Sequence, residues 1–249
     1  MRHSHLMTLM SLAMCGLAIR AAAQDTKKPP PTEFNADFGF VNVSGNASVT
    51  TLNGNERFIR RVAPWEFKQD FGSVYGKTDG TESSNLWRAS LRADYSLATH
   101  WALYALTAFD RDKFAGIDSR FAEGLGVVAK LIATNVNELN LEGGLQVTQQ
   151  RDLEGVNDNF TSARAATTWK YTFLPRSYFF QSVEALPNLK ESKDVRVNTE
   201  TALVAPVSSH IGLKLSYVVR FDNLPAVNAA GIPLEKTDRI LSSGVQISF

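Results

Sequence analysis

Histidine is the first residue type to search for chemistry, and beyond residue 23 the chain offers only His100 and His210. Hydrolysis by a serine nucleophile needs a Ser–His pair oriented by a third group. Both histidines fall in short segments that read as turns, so no catalytic residue is assigned and the chain reads as non-enzymatic. Asp110, Asp112 and Asp118 could suggest a calcium loop, but Phe114 stands at a ligand position and no bidentate Glu follows at the required distance. The acidic stretch around Asp152, Glu154, Asp158 and Asn159 reads as a solvated loop. The single cysteine, Cys15, lies near the start, which excludes a disulfide framework or a thiolate metal site from the rest. No cofactor and no metal are expected.

Charges that share one parity carry more information. Trp87, Ala89, Leu91, Ala93, Tyr95 and Leu97 alternate with Arg88, Ser90, Arg92, Asp94 and Ser96. On a helix these charges would scatter around the axis, whereas on a strand they fall on one side. The same two-residue period recurs along the chain. It puts Glu66, Lys68, Asp70, Lys130, Glu142, Arg164, Lys170, Arg196, Glu200, Lys214 and Arg220 on polar faces opposite apolar ones. The pattern predicts about twelve strands of roughly 9–13 residues, the length a tilted strand needs to cross a bilayer. Their expected spans are 34–43, 48–60, 65–76, 85–97, 101–110, 121–132, 138–149, 162–174, 177–186, 195–205, 211–222 and 238–249.

Mid-strand charges, aromatics near strand ends and connections that alternate in length separate this pattern from a soluble sandwich. The fold class is therefore all-β, an antiparallel transmembrane barrel. Short connections at 60–64, 98–100, 133–137, 174–176 and 206–210 are expected on the periplasmic side. Longer ones at 77–84, 111–120, 150–161, 187–194 and 223–237 are expected outside. Glu123 falls on an apolar face, a place tolerable only near an interface. A basic side chain facing mid-bilayer lipid costs about 2–4 kcal/mol, so the charges of shared parity must point into the lumen. Glu66 and Asp70 are expected beside Arg88 and Arg92 on the neighbouring strand. Mixed signs predict a lumen largely filled by pairs; the alternative is a narrow channel for ions or small solutes.

The beginning of the chain reads as a targeting segment. Arg2, His3 and His5 precede an apolar run to Ile19, and Ala21-Ala22-Ala23 supplies small residues for cleavage. The run is shorter than the roughly 20 residues of a spanning helix. A lipidated Cys15 is disfavoured by the bulky Met14 before it. Residues 1–23 are thus expected as a signal peptide, 24–33 with Pro29-Pro30-Pro31 as an extended periplasmic tail, and 34–249 as the barrel. Without the first segment the near-neutral charge of the whole chain, +1, becomes one acid in excess, and no nucleic-acid footprint is present.

Several stretches are similar to a known family. They are Ser44-Gly45-Asn46, Leu86 to Tyr95, Phe109-Asp110-Arg111-Asp112-Lys113-Phe114, Gly124-Leu125-Gly126, Leu215 to Asp222 and Glu235-Lys236-Thr237-Asp238. In this order they resemble the YdiY-like, salt-induced outer-membrane proteins, a bacterial family of unknown function, over roughly residues 34–249. Ala63-Pro64 and Asn53-Gly54-Asn55 depart from the usual pattern. The resemblance implies bacterial outer-membrane residence and a link to salt or osmotic conditions, and it carries over no reaction. Val245, Ile247 and the terminal Phe249 resemble the signature by which such barrels are presented for assembly. Expected partners are outer-membrane lipid, lipopolysaccharide and the barrel assembly machinery, with the protein itself a monomer.

Overall fold

A computed structural model describes residues 30–43, 49–227 and 231–248. The expected signal peptide, most of the tail, the Ser44-Gly45-Asn46-Ala47 turn and Phe249 lie outside the described residues. Twelve strands follow one another: β1 (Thr32–Val43), β2 (Val49–Val62), β3 (Trp65–Thr78), β4 (Thr81–Ala98), β5 (Trp101–Asp112), β6 (Ile117–Ala133), β7 (Asn137–Asp152), β8 (Asn157–Leu174), β9 (Ser177–Pro187), β10 (Val195–Pro206), β11 (Ile211–Asp222) and β12 (Thr237–Ser248). Each pairs antiparallel with its neighbours in sequence, and β1 pairs with β12, so the sheet closes into a barrel.

The register converts alternation into two surfaces. Leu91 stands opposite Thr107, Leu103 opposite Val127, Leu125 opposite Leu145 and Tyr217 opposite Leu241, all on the outer face. Leu125 is 68% exposed and Leu241 70%, in a belt of outward leucines, phenylalanines and tryptophans that runs round the barrel. A water-soluble protein rarely shows an apolar patch above a few hundred Å2, so this belt is a lipid-facing surface. Aromatic contacts mark its edges. Trp65 packs 4.9 Å from Tyr95, and Trp169 5.5 Å from Phe179, near the rim with short turns. Trp87 lies 4.8 Å from Phe109 toward the other rim. Among the described residues no helix is long and apolar enough to cross a membrane, and strands are the crossing elements. This is the architecture of barrels that reside in the bacterial outer membrane.

The connections differ from expectation at the long-loop rim. The expected 77–84 loop is almost entirely strand: only Asp79 (φ 50°) and Gly80 (φ 79°) turn the chain between β3 and β4. Two consecutive residues with positive φ form the tight Asp-Gly hairpin turn whose twist matches the strands. β5–β6 and β7–β8 also pair further than the apolar pattern does, because backbone hydrogen bonds continue where lipid ends. The β11–β12 connection stays long and reaches the opposite side of the same rim. A Cβ on Gly116, in the β5–β6 turn, would stand 2.8 Å from both Ala226 Cβ and Leu234 Cδ1.

Candidate functional site

Tyr104 organises the inner face. It is 3% exposed and packs with Ala102 and Val128. Its ring lies over β6 and β7 because Gly126 and Gly144 are there: a Cβ on Gly126 would be 2.6 Å from Tyr104 Cε1, and one on Gly144 2.5 Å from the hydroxyl. The guanidinium of Arg92 sits 4.3 Å from the ring centroid and that of Arg164 5.2 Å, while Arg164 donates a 3.0 Å hydrogen bond to Tyr104 Oη. A glycine-floored aromatic therefore holds two cations by their attraction to its π face.

From these two arginines a chain of ion pairs runs in both directions. Glu33 pairs with Arg61 at 2.7 Å, Arg61 with Glu66 at 2.6 Å, Glu66 with Lys68 at 2.9 Å and Lys68 with Asp94 at 2.8 Å. Asp94 meets Arg92 at 2.8 Å, Arg92 meets Glu142 at 2.8 Å, Glu142 meets Arg164 at 2.6 Å and Arg164 meets Glu184 at 2.7 Å. Acid and base alternate at every link. The side chains of Asp94, Glu142 and Arg164 are 8%, 7% and 8% exposed, so the middle of the chain is nearly dry. Charges taken from water need this number of partners, since attraction offsets desolvation only with good geometry and satisfied lone pairs.

Other charges bridge more open space. Arg57 pairs with Asp70 at 2.5 Å while keeping 47% exposure, and its guanidinium lies 5.9 Å from the Phe180 ring on β9, five strands round the barrel. Lys214 joins Asp37 at 2.5 Å and Glu200 at 3.6 Å. Near the long-loop rim Arg220 of β11 reaches Asp112 of β5 at 3.5 Å, across the full width of the lumen, and Arg120 meets Asp110 at 3.8 Å. Arg196 stacks 4.6 Å from the Phe160 ring and donates to Ser162 at 3.4 Å.

The expected partners of Arg88 and Arg92 are different ones here. The register places Lys68 opposite Arg92, Glu66 opposite Asp94 and Gly72 opposite Arg88. Asp70 is taken by Arg57, and Arg92 is satisfied by Asp94 and Glu142, so the expected Glu66/Asp70 pairing with Arg88/Arg92 does not form. Glu33, Asp37, Arg57, Arg61, Tyr104 and Glu184 belong to the inner face without having been singled out. On β2 the signal is blurred because the outward parity carries Glu56 and Arg60. Glu56 faces outward and accepts a 3.3 Å hydrogen bond from Gln69, and Glu123 is outward two residues from Phe121. Lys170 is 3.7 Å from Glu138. His100 and His210 sit in the β4–β5 and β10–β11 turns, and His210 shares a 2.9 Å hydrogen bond with Ser209. No group of three or more metal-ligating side chains occurs among the described residues.

The profile of a family described as "Protein of unknown function, DUF481" matches residues 36–249. The chain belongs to the DUF481 family. A relative in this sequence range is the "Uncharacterized protein YdiY" of Escherichia coli (strain K12), 22% identical over 214 residues that cover 84% of this chain and 80% of the relative. Among solved structures this DUF481 barrel is similar to the NanC porin, at 11% identity and a TM-score of 0.48, covering 86% of this chain and 97% of the porin. It is also similar to the translocator domain of the autotransporter NalP from Neisseria meningitidis, at 11% identity and a TM-score of 0.44, covering 88% and 86% of the two chains.

Proposed function

We propose that this protein is a non-enzymatic outer-membrane barrel that supports envelope integrity, with a lumen largely filled by paired charges. The observation that carries the reading is bridging at three places: Arg92 to Glu142, Arg57 to Phe180 and Arg220 to Asp112. A twelve-stranded wall encloses more room than an eight-stranded one, whose interior side chains fill, and less than a sixteen-stranded porin. Here long cationic side chains span that room. The short-turn rim faces the periplasm, and lipopolysaccharide surrounds the other. Val245 and Ile247, outward on β12, lead to Phe249 as a signal for the assembly machinery. A role in salt or osmotic stress is supported by the family resemblance alone.

Recording from purified protein in a planar bilayer tests the reading. The expected result is a baseline without steady current steps, and large, stable steps would overturn it. A narrow channel for ions or small solutes is the second reading, favoured by the 47% and 39% exposure of Arg57 and Asp70 within the lumen. Small, reproducible steps that change in size in Arg57→Ala would establish that reading instead.

A further inference from the structure

The barrel wall is not equally closed all round. Among the described residues β1 and β12 pair at four positions, from Asn35 opposite Ser248 to Phe38 opposite Val245. β1 nevertheless continues beside β2 as far as Val43, and β12 runs beside β11 from Thr237. Among the described residues no pairing continues between 39–43 and 240–244, although Gly39 and Gly244 stay close, a Cβ on Gly244 falling 3.2 Å from Gly39 Cα; beyond them, toward the long-loop rim, the ladder lapses into a seam. Phe38, Phe40 and Leu241 flank it on the outside, 57%, 59% and 70% exposed, so the seam lies within the apolar belt. Unpaired strand edges are not tolerated against hydrocarbon, where backbone groups find no water.

Behind the seam lies a pocket bordered by Gly39, Gly244 and the Lys214–Asp37 pair. It shares Asn53, Asn55 and Ser242 with a second cavity of about 30 Å3, deeper in the lumen. That second cavity combines an apolar wall with cations. Val74, Leu86, Val218 and Ile240 point inward there, and Arg88 and Arg220 stand among them. Arg57, Arg61, Arg92 and Arg164 each have a carboxylate partner, and Arg220 has Asp112. Arg88 makes no hydrogen bond or ion pair with any described residue. Its chain lies over Gly72, where a Cβ would come 3.1 Å from Arg88 Nε. Glu200, the acid of this cavity, is engaged by Lys214 at 3.6 Å and Ser216 at 3.4 Å. Within this cavity Arg88 is thus the guanidinium that remains unmatched, beside apolar side chains and inside the stretch of wall where β1–β12 pairing lapses.

We propose that the β1–β12 seam is a lateral portal, and that Arg88 receives the carboxylate head of a single-chain amphiphile whose tail stays in the membrane. The cavity is the size of a head group, and the four aliphatic residues suit the first methylenes. A carboxylate on a guanidinium forms charge-assisted, often bidentate hydrogen bonds. The site requires the barrel to lie in lipid and is indifferent to whether the lumen conducts ions.

The test uses the barrel folded in phosphatidylcholine vesicles, with stearate spin-labelled near its methyl end as the probe. An immobilised spectral component is expected to grow with protein concentration, and the methyl ester of the same probe should not produce it. Arg88→Gln should weaken the apparent affinity about tenfold, the scale of one lost charge-assisted pair, with the heat-induced gel shift unchanged. Bridging Phe40→Cys to Ser243→Cys with a short bis-maleimide should slow probe entry, whereas the single-cysteine forms should not. Equal binding of acid and ester overturns the head-group site even if Arg88→Gln fails to fold. Equal entry after bridging overturns the portal. Displacement of the probe by butyrate as readily as by unlabelled stearate would reduce the site to a simple anion pocket and overturn the amphiphile.

Discussion

At the scale of single residues, two arginines of the same lumen should behave very differently. Arg164 is 8% exposed and lies between Glu142, Glu184 and the Tyr104 hydroxyl. Arg164→Ala takes one of two cations from the buried Glu142 and the ion-pair partner from Glu184, and breaking a buried pair costs about 3–5 kcal/mol. Arg57 is 47% exposed and Asp70 39%, so water entering the lumen would screen their pair. Exposed pairs are worth about 0–1 kcal/mol, so Arg57→Ala should leave stability nearly unchanged. The midpoint of the heat-induced gel shift, measured for both variants in the same detergent, gives the comparison. A drop of equal size in the two would mean that the difference in hydration is not what sets their contributions.

At the scale of elements, the strands were legible and their partners less so. Alternation gave all twelve strands and most of their faces, with β2 blurred by Glu56 and Arg60, because a half-lipid, half-lumen strand repeats every second residue. Strand ends near the long-loop rim were not legible: beyond the lipid both faces become polar and the period vanishes, although the ladder goes on. Inner-face partners were hidden for another reason. A side chain as long as arginine chooses among several carboxylates, and that choice depends on registers such as Gly72 opposite Arg88, which no single strand contains. The loops offer an element-scale test. Gly80 and Gly116 have φ of 79° and 75°, so alanine strains both backbones by about 1 kcal/mol. Only Gly116 also touches another loop, through Ala226 and Leu234. Gly116→Ala should speed protease cleavage within 223–236 on the assembled barrel, and Gly80→Ala should leave that rate alone. The same acceleration in both would refute the role of the loop-to-loop contact.

At the scale of the whole molecule, even strand number puts both ends of the described barrel at the short-turn rim. With that rim in the periplasm, a maleimide added to intact cells should label Asp152→Cys and leave Ser208→Cys unlabelled; surface labelling at 208 would invert the orientation. The ion-pair chain, which passes from β1 through β4 and across to β9, has a consequence of the same reach. Exchanging the two members of a salt bridge is the usual way to show that they interact, since the reversed pair restores the attraction. Here each inner member has two neighbours of opposite sign, so reversing Arg92 and Glu142 together sets a glutamate against Asp94 and an arginine against Arg164. The double variant Arg92→Glu/Glu142→Arg should therefore assemble no better than the worse of its single variants. Full recovery in the gel-shift assay would show that the links act as separate pairs. If recovery fails, sign along the chain behaves as a single collective property: one link can be inverted only by inverting every other, from Glu33 to Glu184.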